Sequence, residues 1–598
     1  MATQKKVDVV TIGAGWTAAI MAWKLCSAGH RVVSLEQGPM RWANPDFNTR
    51  DKFDPLRYFT RHAMMVDLGK QTWTWRPNPR APSLPLRRFN PGPFNPGQGL
   101  GGSAIHWTGQ VWRFTPEDFK YRTHTIEKYG ANRLPQGSTI QDWPVTYDEL
   151  EPYYTAFDYD IGTSGQVGNL NGQIIAGGDP FTRMSRPYPN PPIAVSIPAT
   201  MFAKATTDLG YHPFPHPTGI LTQGYTDPFG NVRSGCLYCG YCTRYGCEVD
   251  AKSSPQTTHI PAALRTGKYD IRPNCHVLRI NVGADGLATG VTYVDENGQE
   301  QVQPAEMVLV TGYTLSNVRM LLLSRDDAHH PNGIGNDRLR VGKNMTYQLV
   351  KDTTTGTWEG RKFNLFMGNG VTQHVLNDFA GDNFDHTNLD FVGGAQVYFG
   401  AGQRDPINTS TNFPYDSPLN SGGANLSWGR DFKESLRRDW DSVAAIQIQG
   451  ESLPYEDQFY DLDPVYKDAW GQPLLRFTFD WHQNDYNLYR YMAARGREIV
   501  ERMQPTRMHH TPELKPFETR SYQSTHMTGG AIMGTDPGNS VTNKYGQVWD
   551  TPNVFVTGAA LYPQNPCLNP TGTLAPLAYM AGDAIRDRYF KDPSKMIS

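Results

Sequence analysis

The sequence predicts an α/β fold. Three observations carry that reading. The N-terminus reads as strand, glycine-rich turn, helix and second strand; a strand followed by a long helix closes the C-terminus; and the composition suits a large ordered core. The chain has 598 residues, enough for about four domain-sized units. Gly 58 and Pro 45 together exceed average usage, which points to many turns and long ordered loops. Fourteen tryptophans and 12% aromatic residues are too many for a disordered chain. Lys+Arg 56 against Asp+Glu 58 gives a formal charge of −2 with no basic stripe, so a nucleic-acid footprint is not supported.

The first element is the apolar run Lys6–Ile12, which reads as a buried parallel strand. Gly13-Ala14-Gly15-Trp16-Thr17-Ala18 follows, then a helical run from Ala19 to Ala28. Gly29 ends the helix, and Arg31–Leu35 is a second strand closing on Glu36, 23 residues after Gly13. Each residue type has a physical reason. Gly13 permits the tight turn, Gly15 lets the backbone approach a pyrophosphate, and Ala18 allows close packing of helix on strand. The helix N-terminus favours negative charge, and Glu36 is placed to accept hydrogen bonds from a ribose. The unit predicts dinucleotide binding. NAD and FAD both use such a site, and its N-terminal position favours FAD.

Two further glycine-bearing segments stand far apart: Gly97-Gln98-Gly99-Leu100-Gly101-Gly102-Ser103-Ala104-Ile105-His106-Trp107, and His526-Met527-Thr528-Gly529-Gly530-Ala531-Ile532-Met533-Gly534. After the second, Asn553–Thr557 reads as a strand running into Gly558-Ala559. Asn569-Pro570-Thr571-Gly572-Thr573 then opens a helix ending near Arg586.

Four of the seven cysteines, Cys236, Cys239, Cys242 and Cys247, fall within twelve residues, with spacers of two, two and four. A disulfide framework would spread pairs along the chain. The cluster reads as metal ligands, with an iron–sulfur centre (3Fe-4S or 4Fe-4S) favoured, four-thiolate zinc as competitor and two local disulfides as third reading. Its last gap is one residue longer than the bacterial ferredoxin spacing. Cys26, Cys275 and Cys567 are expected to be buried thiols.

Taken together with Val341-Gly342-Lys343-Asn344, these segments resemble, in order, the motifs of the glucose–methanol–choline (GMC) family of FAD oxidoreductases, over nearly the full chain. Within it, Gly13–Ala22, Gly102–Gly109, the cysteine segment and Asn569–Thr573 are similar to the flavoprotein subunits of gluconate 2-dehydrogenase-like sugar and aldonate dehydrogenases. The resemblance implies a Rossmann-like FAD-binding domain interleaved with a sheet-based, α+β substrate domain. The expected division is 1–150 (FAD, with a flavin-covering loop over 76–110), 151–220 (substrate), 221–350 (FAD, with the cysteines), 351–520 (substrate) and 521–598 (FAD and catalysis). Leu389–Tyr398 and Ser442–Glu451 are expected strands of the substrate sheet. Asn274–Ile280, Val291–Val294 and Glu306–Val310 are expected to continue the FAD sheet, with the Val277 backbone near the adenine.

The same resemblance implies the site. Gly101, Gly102 and Ser103 line the flavin, Gly558, Ala559, Pro570 and Thr571 complete the cofactor contacts, and His526 with Asn569 forms the catalytic pair. An alcohol oxidation needs a base for the hydroxyl proton, and histidine is the natural choice. His526 takes that proton while Asn569 polarises the substrate oxygen. His106-Trp107-Thr108 matches the setting in which related pyranose oxidases bond histidine to the flavin. Covalent attachment through His106 and a non-covalent contact both stand as alternatives.

The activity implied is FAD-dependent oxidation of a sugar, sugar acid or polyol, with electrons leaving through the cysteine-held centre to a small helper subunit and a membrane cytochrome c. The rivals are a stand-alone oxidase using oxygen, with structural cysteines, and a flavoprotein that only binds FAD. No secretory signal precedes Val7, and no apolar run reaches the ~20 residues of a membrane-spanning helix. The expected location is the periplasmic face, reached with an exported partner, the alternative being cytoplasmic; membrane contact would come only through partners.

Overall fold

The computed structural model describes residues 2–47, 64–86, 94, 96–242, 245–364, 373–400, 429–519 and 523–597. Its larger sheet is built outward from the N-terminal strand Val7–Ile12. Val32–Leu35 pairs with it in parallel, and Tyr269–Arg272 continues the parallel order at that edge. On the other side lies the 11-residue strand Glu300–Val310. Its C-terminal half also pairs in parallel with Val554–Val556, and its N-terminal half pairs antiparallel with Ala288–Val294, which in turn pairs with His276–Val282. The central strands are apolar on both faces because helices cover them: Val9, Val10, Met307, Val308, Leu309 and Val310 are fully buried.

The helix Trp16–Ser27 begins three residues earlier than the residue pattern predicts, directly at the glycine turn. It packs against the long C-terminal helix Thr571–Asp587, with Trp16 and Ile20 meeting Ala575, Ala578 and Tyr579. The helix Tyr147–Ile161 joins that cluster through Phe157. Its start is fixed by a capping box, in which Thr146 accepts from the Glu149 amide and the Glu149 carboxylate accepts from the Thr146 amide.

The second sheet is antiparallel throughout, in the order Arg507–His510, Leu349–Thr357, Val443–Gly450, Ala395–Gly400, His374–Leu376, Phe214–Pro215. Alternation along Val443–Gly450 sets its two faces: Ile446 and Ile448 are fully buried on one side, while Gln447 and Gln449 point to the other. Burying each isoleucine contributes about 1.5–3 kcal/mol. The helix Gln483–Arg502 packs on the apolar side, where Gly496 leaves room: a Cβ there would stand 2.5 Å from Thr353 Oγ1.

The strand expected over Leu389–Tyr398 starts only at Ala395. Gly393 adopts φ +85°, and Gly394 presses so close to the Phe379 carbonyl that a Cβ would lie 2.2 Å from it. Upstream, the Val392 backbone is bonded at both ends by the Asn484 side chain instead of by a strand. The expected flavin-covering loop lies partly outside the described residues, at 87–93 and 95. Before that gap, Trp73–Arg76 and Leu84–Pro85 form a small sheet with Pro473–Thr478 and Phe459–Lys467.

Candidate active site

A cavity of about 1660 Å³ runs from the edge of the first sheet to the polar face of the second. Single small-molecule sites are typically ~300–1,000 Å³, so this one has room for a dinucleotide and a substrate together. One end is the glycine turn. Gly13 takes φ +101°, and its amide donates to the Leu35 carbonyl, turning the chain off the strand. Gly15 caps the helix Trp16–Ser27 without a side-chain bond, and a Cβ added there meets nothing within 4 Å. The first-turn amides therefore face open cavity, as anion binding requires. Ala18 is fully buried against the sheet.

Glu36 lines the same end, with Val277 nearby. Its Oε1 accepts from the amides of Gly38 and Gly99 (2.9 and 3.1 Å) and its Oε2 from Ala14 (3.0 Å). Burial pushes its carboxyl above the usual range, against the pull of these amides.

The Gly101–Ser103 loop lies across the turn. Gly101, in the left-handed region at φ +84°, donates to the Ala14 carbonyl, and a Cβ on Gly102 would sit 3.6 Å from Gly15 Cα. Ser103 Oγ accepts from the Gly97 amide at 2.7 Å. His106 is buried and lines the cavity, as do Gly558, Ala559, Pro570 and Thr571.

At the other end, His526 and Asn569 meet: Asn569 Nδ2 lies 3.1 Å from His526 Nε2. The distant glycine motifs explain how His526 is held. Gly529 passes so close to the Asn344 carbonyl that no side chain fits, the Gly342 amide donates to Gly530, and Thr346–Tyr347 pairs with Met527–Thr528. This places Gln348 beside His526. Gln348 Nε2 donates to the carbonyls of Pro566 and Leu568 (2.9 Å to Leu568), so Oε1 must face the imidazole. His526 Nδ1 stands 2.6 Å from that oxygen and so carries the proton, leaving Nε2 as the acceptor toward the cavity. On the far side, Gln449 Nε2 donates to the Cys567 carbonyl (2.8 Å) and to Asn569 Oδ1 (3.2 Å), which turns Asn569 Nδ2 toward His526. Burial lowers the His526 pKa to about 4, so the imidazole is neutral at ordinary pH and can accept a proton. Sequence reading missed Gln348 and Gln449. The available signal for Gln449 was the Ile-Gln-Ile-Gln alternation, which puts two amides on the cavity face of a strand.

The cysteine segment lies close to the flavin-loop residues. Lys252, buried, donates from Nζ to the carbonyls of Trp107 (2.8 Å), Cys242 (2.7 Å) and Tyr245 (2.7 Å), tying that segment to the His106–Trp107 loop. The four sulfurs, however, are not gathered. Among the described residues no three of them come within 4.8 Å of one another, and no disulfide joins any of the seven cysteines. Cys239 is exposed while Cys242 is buried beside Ile193 and Ile220. As arranged, the set does not fit a cluster or a four-thiolate zinc.

Two family models, both described as GMC oxidoreductase, match residues 218–350 and 459–578. The chain is 38% identical to gluconate 2-dehydrogenase flavoprotein of Pantoea cypripedii, over 99% of this chain and 95% of that one. It is 30% identical to 2-methyl-1,2-propanediol dehydrogenase of Mycolicibacterium austroafricanum (98% and 96% covered) and 26% identical to the fructose dehydrogenase large subunit of Gluconobacter japonicus (97% of both). Likeness of this extent, on a mixed α/β fold with a dinucleotide turn at one end of the cavity and a histidine–asparagine pair at the other, establishes that the chain belongs to the GMC oxidoreductase family, enzymes acting on CH–OH groups.

Proposed function

We propose that this protein is the FAD-carrying subunit of a dehydrogenase that oxidises an alcohol of a sugar, sugar acid or polyol to a carbonyl. The observation that carries the reading is the His526–Asn569 pair, set in one cavity with the polar face of the second sheet. FAD is the cofactor that the family implies. The long cavity, the unblocked helix N-terminus and the glycine cradle fit it, with Gly13, Gly15, Glu36, Gly101, Gly102, Ser103, His106, Val277, Gly558, Ala559, Pro570 and Thr571 as its contacts and Ala18 packed behind the turn. Bound there, it supplies the hydride acceptor.

The protein's own part is proton handling and orientation. A substrate hydroxyl that displaces the Asn569–His526 hydrogen bond accepts from Asn569 Nδ2 and gives its proton to His526 Nε2, the nitrogen that Gln348 keeps unprotonated. Tyr398, Gln447, Gln449 and Lys351 present hydroxyl, amide and ammonium groups to the same space, which suits a polyhydroxylated substrate and, through Lys351, a carboxylate.

One relative is named as a large subunit, which supports a helper subunit for this chain as well; a cytochrome c acceptor is proposed on the family resemblance alone. With them goes a place at the periplasmic face. No helix among the described residues is long and apolar enough to cross a membrane, so membrane contact falls to the partners. The cysteine segment is tied to the His106–Trp107 loop through Lys252, and no electron-transfer step is routed through it.

The test is anaerobic reduction of the FAD-loaded protein by gluconate, other aldonates, free sugars and diols, followed by turnover with an artificial acceptor and with oxygen. Flavin bleaching by a polyhydroxylated substrate, with the artificial acceptor at least tenfold faster than oxygen, is expected. Equal rates with oxygen would move the protein to the oxidase reading, and no bleaching across the panel would remove the substrate class.

A further inference from the structure

We propose that His330, Asp337 and Asp550 form a binding site for a divalent first-row transition cation such as Mn²⁺ or Zn²⁺, apart from the cofactor cavity. The three side chains offer ligand atoms that all lie within 4.8 Å of one another. None of them lines the large cavity. Two come from the segment after helix Thr314–Leu323 and the third from the turn before strand Val554–Val556, so an ion would fasten together pieces of chain more than 200 residues apart.

His330 carries the argument. It is only 3% exposed, and its Nε2 lies 2.9 Å from the Gly286 carbonyl. A carbonyl only accepts, so Nε2 holds the proton and Nδ1 is left with a lone pair. That nitrogen is buried, has no hydrogen-bond partner among the described residues, and stands 3.8 Å from Asp337 Oδ1. A lone pair directed at a carboxylate is repulsive unless a proton or a cation sits between them, and 3.8 Å is too long for a hydrogen bond. The 3.8 Å separation is close to the ~3.3 Å edge between two ligands of a tetrahedral ion with bonds of about 2.0 Å. A backbone carbonyl fixing the other ring nitrogen is the arrangement that metal-bound histidines use.

The carboxylates fit the same role. Asp550 is held in place by the Gly335 amide and Thr551 Oγ1, both on Oδ1 at 2.9 and 2.8 Å. Its Oδ2 receives only a long 3.4 Å contact from the Asp337 amide and stays available. Asp337 is exposed, so an ion can enter and water can complete its shell. One imidazole with two carboxylates selects against Ca²⁺ and Mg²⁺, which take oxygen ligands.

The probe is Mn²⁺, because it does not favour the thiolates of Cys236–Cys247. The FAD-loaded protein, stripped with chelator, is titrated with Mn²⁺ and free ion is followed by electron paramagnetic resonance. One equivalent is expected to bind, to survive equimolar Ca²⁺, and to weaken at least tenfold in both Asp337→Ala and Asp550→Asn. Turnover of Asp337→Ala, whose side chain is at the surface, should stay unchanged and shows that the variant folds. Unaltered Mn²⁺ binding in both variants, no binding to the parent protein, or displacement by equimolar Ca²⁺ would each overturn the site.

Discussion

The imidazole of His526 has two nitrogens, and the one presented to the cavity depends on a residue that touches no substrate. Gln348 is locked by two backbone carbonyls, so its oxygen faces Nδ1 and the basic lone pair falls on Nε2. Replacing His526 with Gln removes the base and is expected to lower kcat about 10²–10⁴-fold with FAD still bound. Gln348→Glu tests the positioning role. With the His526 pKa near 4, kcat/KM in the parent protein should stay level until pH approaches that value and then fall tenfold per unit. A carboxylate at 348 would stabilise the imidazolium and move that acid limb to higher pH. An unmoved limb with merely lower activity would reduce Gln348 to packing. Gln348 was not legible in the sequence, and Gln449 only as one of two amides on a strand face, because each partnership is long-range: 178 residues separate Gln348 from His526, and 120 separate Gln449 from Asn569. His526 and Asn569 themselves were legible only through the motifs around them.

At the scale of elements, the N-terminal turn and helix were the most readable part of the chain, since their requirements are local: a strand, two glycines, a small residue and an acid at fixed spacing. The start of strand Ala395–Gly400 was not, because a glycine pair and the Asn484 side chain, from a helix some ninety residues on, decide where pairing begins. The cysteine cluster shows the same limit. Spacing brings four thiols close in sequence, but the loop that Lys252 ties down sets where they point. The helix N-terminus gives a clean test. Gly15 has φ −84°, and a Cβ there meets nothing, so Gly15→Val should fold with a melting temperature within a few degrees of the parent. Its branched side chain would occupy the space before the first-turn amides. Bound flavin per chain is expected to fall at least tenfold; full flavin content would mean that the pyrophosphate lies elsewhere.

Across the whole molecule, burial has left ionisable groups of both kinds away from their ordinary pKa values, and their pH effects oppose each other. Asp485, buried at the start of helix Gln483–Arg502, is pushed up to about 7. Asp118 and Glu451, buried on either side of Gly381, are also raised, first by burial and then, for Glu451, by the charge of Asp118. A carboxyl raised in the folded state stabilises fully below its unfolded pKa, near 4, and that stability is lost as pH rises through the folded value. The buried imidazoles of His216, His276 and His526 are lowered to about 4, so they cost stability as pH falls below about 6.5. Between pH 4 and 6.5 the two sets work against each other. Above 6.5 the histidines are neutral in both states and only the carboxyls still titrate. The melting temperature of the FAD-free chain is therefore expected to change little from pH 5.5 to 6.5 and to fall from 6.5 to 8.5. Glu451→Gln, which keeps the shape and removes the charge, should flatten that fall. A melting temperature that rises over pH 6.5–8.5, or the same slope in the variant, would show that Glu451 is ionised in the folded protein and that its neighbours accommodate the charge.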